Sequence, residues 1–233
     1  SVFFNNKKNR SILLGASVVF GIGSTSDDKT ISSIISDNKN HYINFGGRAY
    51  TLFQEILLFL SLVNETGKIK NLIILSGLND VFLNYNKHIH NNFPGPIYFN
   101  NKFTENMNYL SYKQLFKKFI NNTKHKNHSL KNVSFKDILK RNFFLLNILK
   151  KSYKINPIFI LQPYMTWCKE PSLEEKKIID YMKNRSDKAI YNKVTSSKSK
   201  IINLYKKFSS LYNIDFYDSN SYIKSNCSKK DFM

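Results

Sequence analysis

The sequence predicts an α/β fold with three layers, α/β/α, around a central parallel sheet of about five strands. Three observations predict it. Short apolar runs alternate along the chain with segments of helical periodicity. The first three runs each lead into glycine and then polar residues, the pattern of a buried strand that opens onto a loop. Apolar residues make up 42% of 233, enough to bury one sizeable core.

Each element follows in order. Ser11 to Gly15 (SILLG) reads as the first strand. Thr30 to Asp37 places Ile31, Ile34 and Ile35 at helical spacing, with the carboxylates of Asp27 and Asp28 just ahead of its N-terminus. His41 to Phe45 is the second strand and Gly46-Gly47 a turn. Tyr50 to Asn64 is an amphipathic helix with Leu52, Ile56, Phe59, Leu60 and Val63 on one face. Asn71 to Ser76 is the third strand. Ser134 to Tyr153 is a helix, and Pro157 to Gln162 the fourth strand, stopped by Pro163. Ser172 and Glu175 have capping-box spacing and open a helix toward Tyr181. Lys188 to Leu211 reads as one more helix and Ile214 to Tyr217 as the fifth strand.

Residues 1–233 are expected to form a single domain. Residues 85–132 form a polar, basic insertion over its core, rich in Asn, Lys and His and broken at Pro94 to Pro96. Its position after the third strand predicts a lid or wall beside the site that shapes substrate choice without a catalytic residue. The chain starts at Ser1 and stops at Met233, with no visible signal peptide. The domain is therefore expected to be incomplete at its C-terminus, and a cytoplasmic protein is favoured.

Composition narrows the function. The net charge is +20, but it is carried by 32 Lys and only 4 Arg, beside 30 Asn. Nucleic-acid readers lean on Arg for bidentate contacts, so nucleic acid is not expected as a partner. The longest nearly unbroken apolar run, Ile56 to Val63, is too short for a membrane span. Two cysteines, Cys168 and Cys227, exclude a disulfide scaffold and a cysteine-built zinc site. His88 and His90, like His125 and His128, read as solvated side chains in polar stretches, so no metal is expected. Trp167 and Cys168 read as core packing. No dinucleotide or phosphate-loop motif is present, so no cofactor is expected.

The chemistry gathers at three strand ends: Gly15-Ala16-Ser17 through Gly21-Ile22-Gly23, Asn44-Phe45-Gly46-Gly47, and Gly77-Leu78-Asn79-Asp80. Right-handed crossovers between parallel strands bring these ends to one edge. A hydroxyl, a glycine N–H and a carboxamide would meet there, the parts of an acyl-transfer site. Read singly, each has a plainer role: Ser17 as a helix cap, Gly46-Gly47 as a tight turn, Asn79-Asp80 as turn formers.

Taken together and in order, these blocks resemble the SGNH (GDSL-like) hydrolases, in the branch whose first motif reads G-x-S-x-x-x-G-x-G. Asp27-Asp28 and Thr30 continue that match, as do Phe159 to Pro163 followed by Glu174-Glu175. Ala16 stands where the commoner motif has Asp. The resemblance implies a flavodoxin-like α/β domain and a serine esterase acting on a small-molecule or carbohydrate acyl ester. It implies Ser17 as nucleophile. The Ser17 N–H, the Gly46 N–H and the Asn79 amide would form the oxyanion hole, and Asp80 would order the Asn79 loop. Arg48 and Asp80 are candidate substrate contacts. The family's base, an Asp-x-x-His after the fifth strand, is not found before Met233, which is read as truncation. A degenerate member that binds without cleaving is the other reading. An O-acyltransferase acting on a glycan, and a non-catalytic module gripping an anionic polymer through its lysines, are the functional alternatives.

Overall fold

The computed structural model describes residues 9–85, 134–168, 170–183 and 188–226. Nearly all of the predicted 85–132 insertion, with its four histidines, lies outside them, as does Cys227. Five strands form one parallel sheet: β1 (Asn9–Gly15), β2 (Asn40–Gly46), β3 (Ile69–Ser76), β4 (Asn156–Leu161) and β5 (Asp215–Asp218). Their spatial order is β2-β1-β3-β4-β5. The chain reverses its direction of travel across the sheet at β1. The crevice beyond the strand ends at such a switch point is where open α/β sheets place their sites.

Ten α-helices accompany the sheet among the described residues: α1 (Ser17–Phe20), α2 (Ile31–Ile35), α3 (Leu52–Leu62), α4 (Leu78–Tyr85), α5 (Phe135–Tyr153), α6 (Met165–Cys168), α7 (Leu173–Lys183), α8 (Lys188–Ser196), α9 (Lys198–Leu211) and α10 (Ser219–Asn226). The core joins Ile12, Leu14, Leu72 and Ile74 of the central strands to Leu52, Ile56 and Phe59 of α3. It continues through Leu139, Phe143 and Leu146 of α5 to Phe159 of β4 and Tyr205 of α9. Phe159 anchors the far half of the sheet, stacked on Tyr205 at 5.2 Å and on Phe216 at 6.2 Å.

Local chemistry sets the element ends. Thr51 and Gln54 form a capping box at the start of α3: the Thr51 N–H donates to Gln54 Oε1 at 2.9 Å, and the Gln54 N–H donates back to Thr51 Oγ1. Ser172 and Glu175 make the same reciprocal pair ahead of α7, as the spacing predicts. Ser134 caps α5 through the Asp137 N–H.

Four expectations are corrected. The single helix over 188–211 is two helices that meet at Ser197, whose hydroxyl donates to the Val194 carbonyl and diverts the backbone. The helix expected over Thr30 to Asp37 covers only Ile31–Ile35, with Ile34 and Ile35 exposed and Ser32 buried. That helix has only five residues and is held by the Thr30 side chain, which accepts from the Ser33 N–H, rather than by an apolar face. Leu60 of α3 is likewise exposed. Gly46 is not in a turn but is the last residue of β2, paired with Gly15 of β1.

The close approach at Gly46 and Gly15 seats α1 directly on the strand ends. A Cβ on Gly46 would come 2.2 Å from the Phe20 nitrogen, and one on Gly15 would come 2.4 Å from Val19 and 2.5 Å from the Leu75 carbonyl. Both contacts involve backbone or a buried branched side chain, so neither relaxes cheaply. The expected outcome for Gly15→Ala is a loss of roughly 1–3 kcal/mol by urea denaturation. An unchanged midpoint would mean that α1 sits on the sheet more loosely than described.

Candidate active site

The three strand ends do meet. β2, β1 and β3 are neighbours, with Gly15 level with Gly46 on one side and with Leu75 on the other. Adjacent strands lie about 4.8 Å apart, so the three ends span roughly 10 Å. Ser17 opens α1 just past β1, Gly46 ends β2, and Asn79 lies in the first turn of α4 just past β3.

Ser17 is half-buried and occupies the first position of α1. It is not the helix cap: that position is Ala16, and no side chain caps the helix. No hydrogen bond ties the Ser17 hydroxyl to a described residue. As a first-turn group, the Ser17 N–H has no partner within the helix. The exposed face of α1 and the loop after it is apolar, with Val18, Phe20 and Ile22 all open to solvent.

The Gly46 N–H and the Asn79 amide are both engaged in this structure. The Gly46 N–H donates to Asn44 Oδ1 at 2.8 Å, and Asn44 Nδ2 donates to the Val19 carbonyl at 2.8 Å. Asn44 therefore ties the end of β2 to the helix that carries Ser17. Asn79 Nδ2 donates to the Tyr50 carbonyl at 2.8 Å, and its second N–H remains to donate elsewhere. Arg48 is exposed in the loop between Gly46 and α3.

Asp80 does not face that opening. It is 4% exposed, and its Oδ2 accepts the Leu52 N–H at 2.9 Å at the N-terminus of α3. Asn79 and Asp80 thus fasten α4 to Tyr50 and Leu52, the two ends of the same turn into α3. This is the place of a residue that orders the Asn79 loop. It does not suit Asp80 as a substrate contact, because the carboxylate points into the core.

Beneath this clamp lies a polar group absent from the sequence reading. Glu55 of α3 is fully buried, and its Oε1 accepts from the Ser76 hydroxyl at 2.7 Å. Tyr205, also fully buried, donates its hydroxyl hydrogen to the Gly77 carbonyl at 3.0 Å. Gly77 has φ +99°, and a Cβ there would press on that hydroxyl at 2.7 Å. Arg141 of α5 lies over the Phe53 ring at 4.4 Å and acts electrostatically on Asp80. Burial pushes the Asp80 carboxyl up to about 6, against the pull of the Leu52 N–H and Arg141. Burial also raises Glu55 well above the usual carboxylate range, and the neighbouring Asp80 adds to it. One sequence signal could have found Glu55. It is an acid within the apolar stripe of α3, one residue before Ile56 and three after Leu52.

Among the described residues no group of His, Cys, Asp and Glu is arranged to hold a metal ion. No helix among them is long and apolar enough to cross a membrane. Trp167 and Cys168 are core residues, with the Trp167 indole N–H donating to the Val194 carbonyl. His41, on β2, lies five residues before Gly46, about 16 Å along the strand, at the edge of the sheet away from Ser17.

Sequence comparison finds no matching family profile and no matching curated protein. Comparison of folds does find matches. A mutant of AlinE4, an SGNH-hydrolase family esterase, aligns over 99% of this chain and 85% of its own length, with TM-score 0.50 at 9% identity. The fold is that of the SGNH hydrolases. A GDSL-like lipase from Bacteroides thetaiotaomicron aligns over 92% of this chain and 70% of its own, with TM-score 0.45 at 16% identity. An acetyl xylan esterase, AlAXEase, aligns over 93% and 80%, with TM-score 0.42 at 10% identity. These last two likenesses are too remote to add to the argument.

Two outcomes are expected of the clamp. Asp80→Ala leaves the Leu52 N–H unpaired inside the protein and lowers stability by about 1–3 kcal/mol in urea denaturation. The pH dependence has a fixed sign. The folded pKa of Asp80 is raised, so its contribution is fully present below 3.8 and is lost as pH rises through about 6. The melting temperature should fall over that window, and the fall should be shallower in Asp80→Asn. A melting temperature that rises with pH there would contradict the buried, proton-holding acid.

Proposed function

We propose that the protein is a serine ester hydrolase acting through an acyl-enzyme. The observation that carries this reading is the junction of β2, β1 and β3: an uncapped serine hydroxyl at the start of α1, flanked by Gly46 on one side and Asn79 on the other. A hydroxyl that merely caps a helix would be bonded to it, and this one is not.

In this reading Ser17 attacks the ester carbonyl, and charge develops on the carbonyl oxygen. The Ser17 N–H and the second N–H of the Asn79 amide receive it. The Gly46 N–H joins them once Asn44 gives up its bond. Each such donor contributes about 3 kcal/mol in the transition state. Val18, Phe20 and Ile22 supply an apolar rim for the acyl group. The exposed Arg48 faces the solvent side, where it can meet an anionic or polyhydroxylated alcohol portion. Acetylated carbohydrate is the first substrate to try. It rests on the family resemblance and on Arg48 alone. The proton acceptor that activates Ser17 lies outside the described residues, since His41 is too far away. An acyltransferase would use the same nucleophile and donors, and differs in passing the acyl group to a sugar hydroxyl instead of water.

The test is kinetic. Ser17→Ala should abolish turnover of a short-chain aryl acetate. Asn79→Ala should lower kcat about 10²–10³-fold with KM nearly unchanged, because its amide binds charge present only in the transition state. A loss confined to KM would make Asn79 a ground-state contact. Hydrolysis that survives Ser17→Ala would end the proposal.

A further inference from the structure

The crossovers that carry α3, α5 and α9 all step the same way across the sheet, so right-handed connections put these helices on one face of it. α5 touches both of the others. Four contacts fasten the row. Arg141 of α5 lies over the Phe53 ring of α3 at 4.4 Å, and Phe59 of α3 meets Tyr153 at the end of α5 edge-on at 5.7 Å. Phe144 of α5 meets Tyr212, just past α9, at 6.0 Å, and Lys150 Nζ donates to the Asn213 carbonyl at 2.6 Å.

The outer side of this row is apolar, where a surface helix usually turns polar residues to water. Leu57 and Leu60 follow Phe53 by one and two turns, on the flank of α3 that Arg141 meets. Phe144 and Ile148 point outward from α5, and Leu211 precedes Tyr212, the ring that Phe144 touches. These five apolar side chains are between 36% and 60% exposed. Lysine is interleaved with them at helical spacing. One stripe of α5 reads Lys140, Phe144, Ile148, Lys151, and one of α9 reads Lys200, Leu204, Lys207, Leu211. α5 and α9 carry four lysines each. The three helices hold two acids: Glu55 is buried, and Asp137 accepts from the Ser134 hydroxyl at the start of α5.

That combination selects a partner. A second copy of the chain would set these lysines against their own kind. A nucleic acid would use the lysines and leave the leucines and Phe144 in water. An anionic bilayer surface uses both. Apolar side chains enter the boundary of the acyl region, and lysines reach lipid phosphates on their apolar stems. We propose that the outer face of α3, α5 and α9 docks the protein on a membrane surface that contains anionic phospholipid, lying on it without spanning it. The strand ends that carry Ser17 form an edge of the sheet, not this face, so docking leaves them open. The inference does not rest on the hydrolase reading.

The test is co-sedimentation of the whole chain with vesicles of phosphatidylcholine, alone or with about 30% phosphatidylserine, in about 0.1 M salt. The mixed vesicles should bind it and the neutral ones should not. A chain of net charge +20 adsorbs on many anionic surfaces, so the substitutions decide. Leu60→Gln with Ile148→Gln should weaken binding at least about tenfold, and Lys140→Gln with Lys151→Gln about tenfold. Lys176→Gln with Lys177→Gln, an exposed pair of the same charge on α7, should weaken it by about threefold or less. Thermal melting checks the fold of each variant, and Phe144→Gln replaces the apolar pair if that pair does not fold. Failure to bind the mixed vesicles overturns the proposal. So does binding that ignores the apolar substitutions, or a loss no larger for Lys140 with Lys151 than for Lys176 with Lys177. A dimer in sedimentation velocity that the apolar pair abolishes would also overturn it, and would make a second copy the occupant.

Discussion

The arrangement of the site depends on one buried contact, the Asp80 carboxylate on the N–H of Leu52. A helix start buried in a protein needs a partner for its free N–H groups. The first N–H of α3 finds that partner not in its own cap but on the next crossover. Asp80 therefore couples the connection after β2 to the connection after β3. The same turn carries Asn79 onto the Tyr50 carbonyl, so the loop that follows Gly46 is tied to the helix that holds Asn79. Ser17 is brought to them by packing instead. Gly15 and Gly46 lack a Cβ, and α1 settles into the space.

The molecule carries two opposite electrostatic regimes. Its composition is strongly basic, through lysines on exposed faces. Its interior beneath the site is acidic, with Glu55 and Asp80 both buried and Arg141 as the basic group acting on Asp80. Surface charge is screened and costs little. Buried charge is costly, and the cost falls according to the partners each acid has. Asp80 has partners suited to a charge and Glu55 does not. This is why burial falls more heavily on Glu55 of α3 than on Asp80 of α4.

The strands and the three site blocks were legible because each depends on local chemistry. An apolar run ending in glycine reports a buried strand that something approaches closely, and Gly15, Gly46 and Gly77 each meet a real neighbour. The capping pair of Ser172 with Glu175 is local and visible. What was not legible depends on long-range packing. Glu55 is hidden in an apolar stripe, and only its meeting with Ser76 explains an acid there. Asn44 was read as part of a motif, yet its bridge from Gly46 to Val19 spans two elements. The isoleucines of α2 follow a helical period and still face outward, because five residues held by the Thr30 cap need no buried stripe. The break at Ser197 is set by a hydroxyl turned back on the Val194 carbonyl, which composition does not announce.

The central claim is that Ser17, set free of any cap at the junction of β2, β1 and β3, is the reactive nucleophile of the protein. The most direct measurement is covalent labelling with a fluorophosphonate, followed by mass spectrometry of the modified peptide. The chain has many serines, so the position of the label discriminates among them. The account predicts a single phosphonyl adduct on Ser17, formed more slowly when Asn79 is replaced by alanine. Labelling that falls on another serine, or that is indifferent to Ser17→Ala, would contradict it.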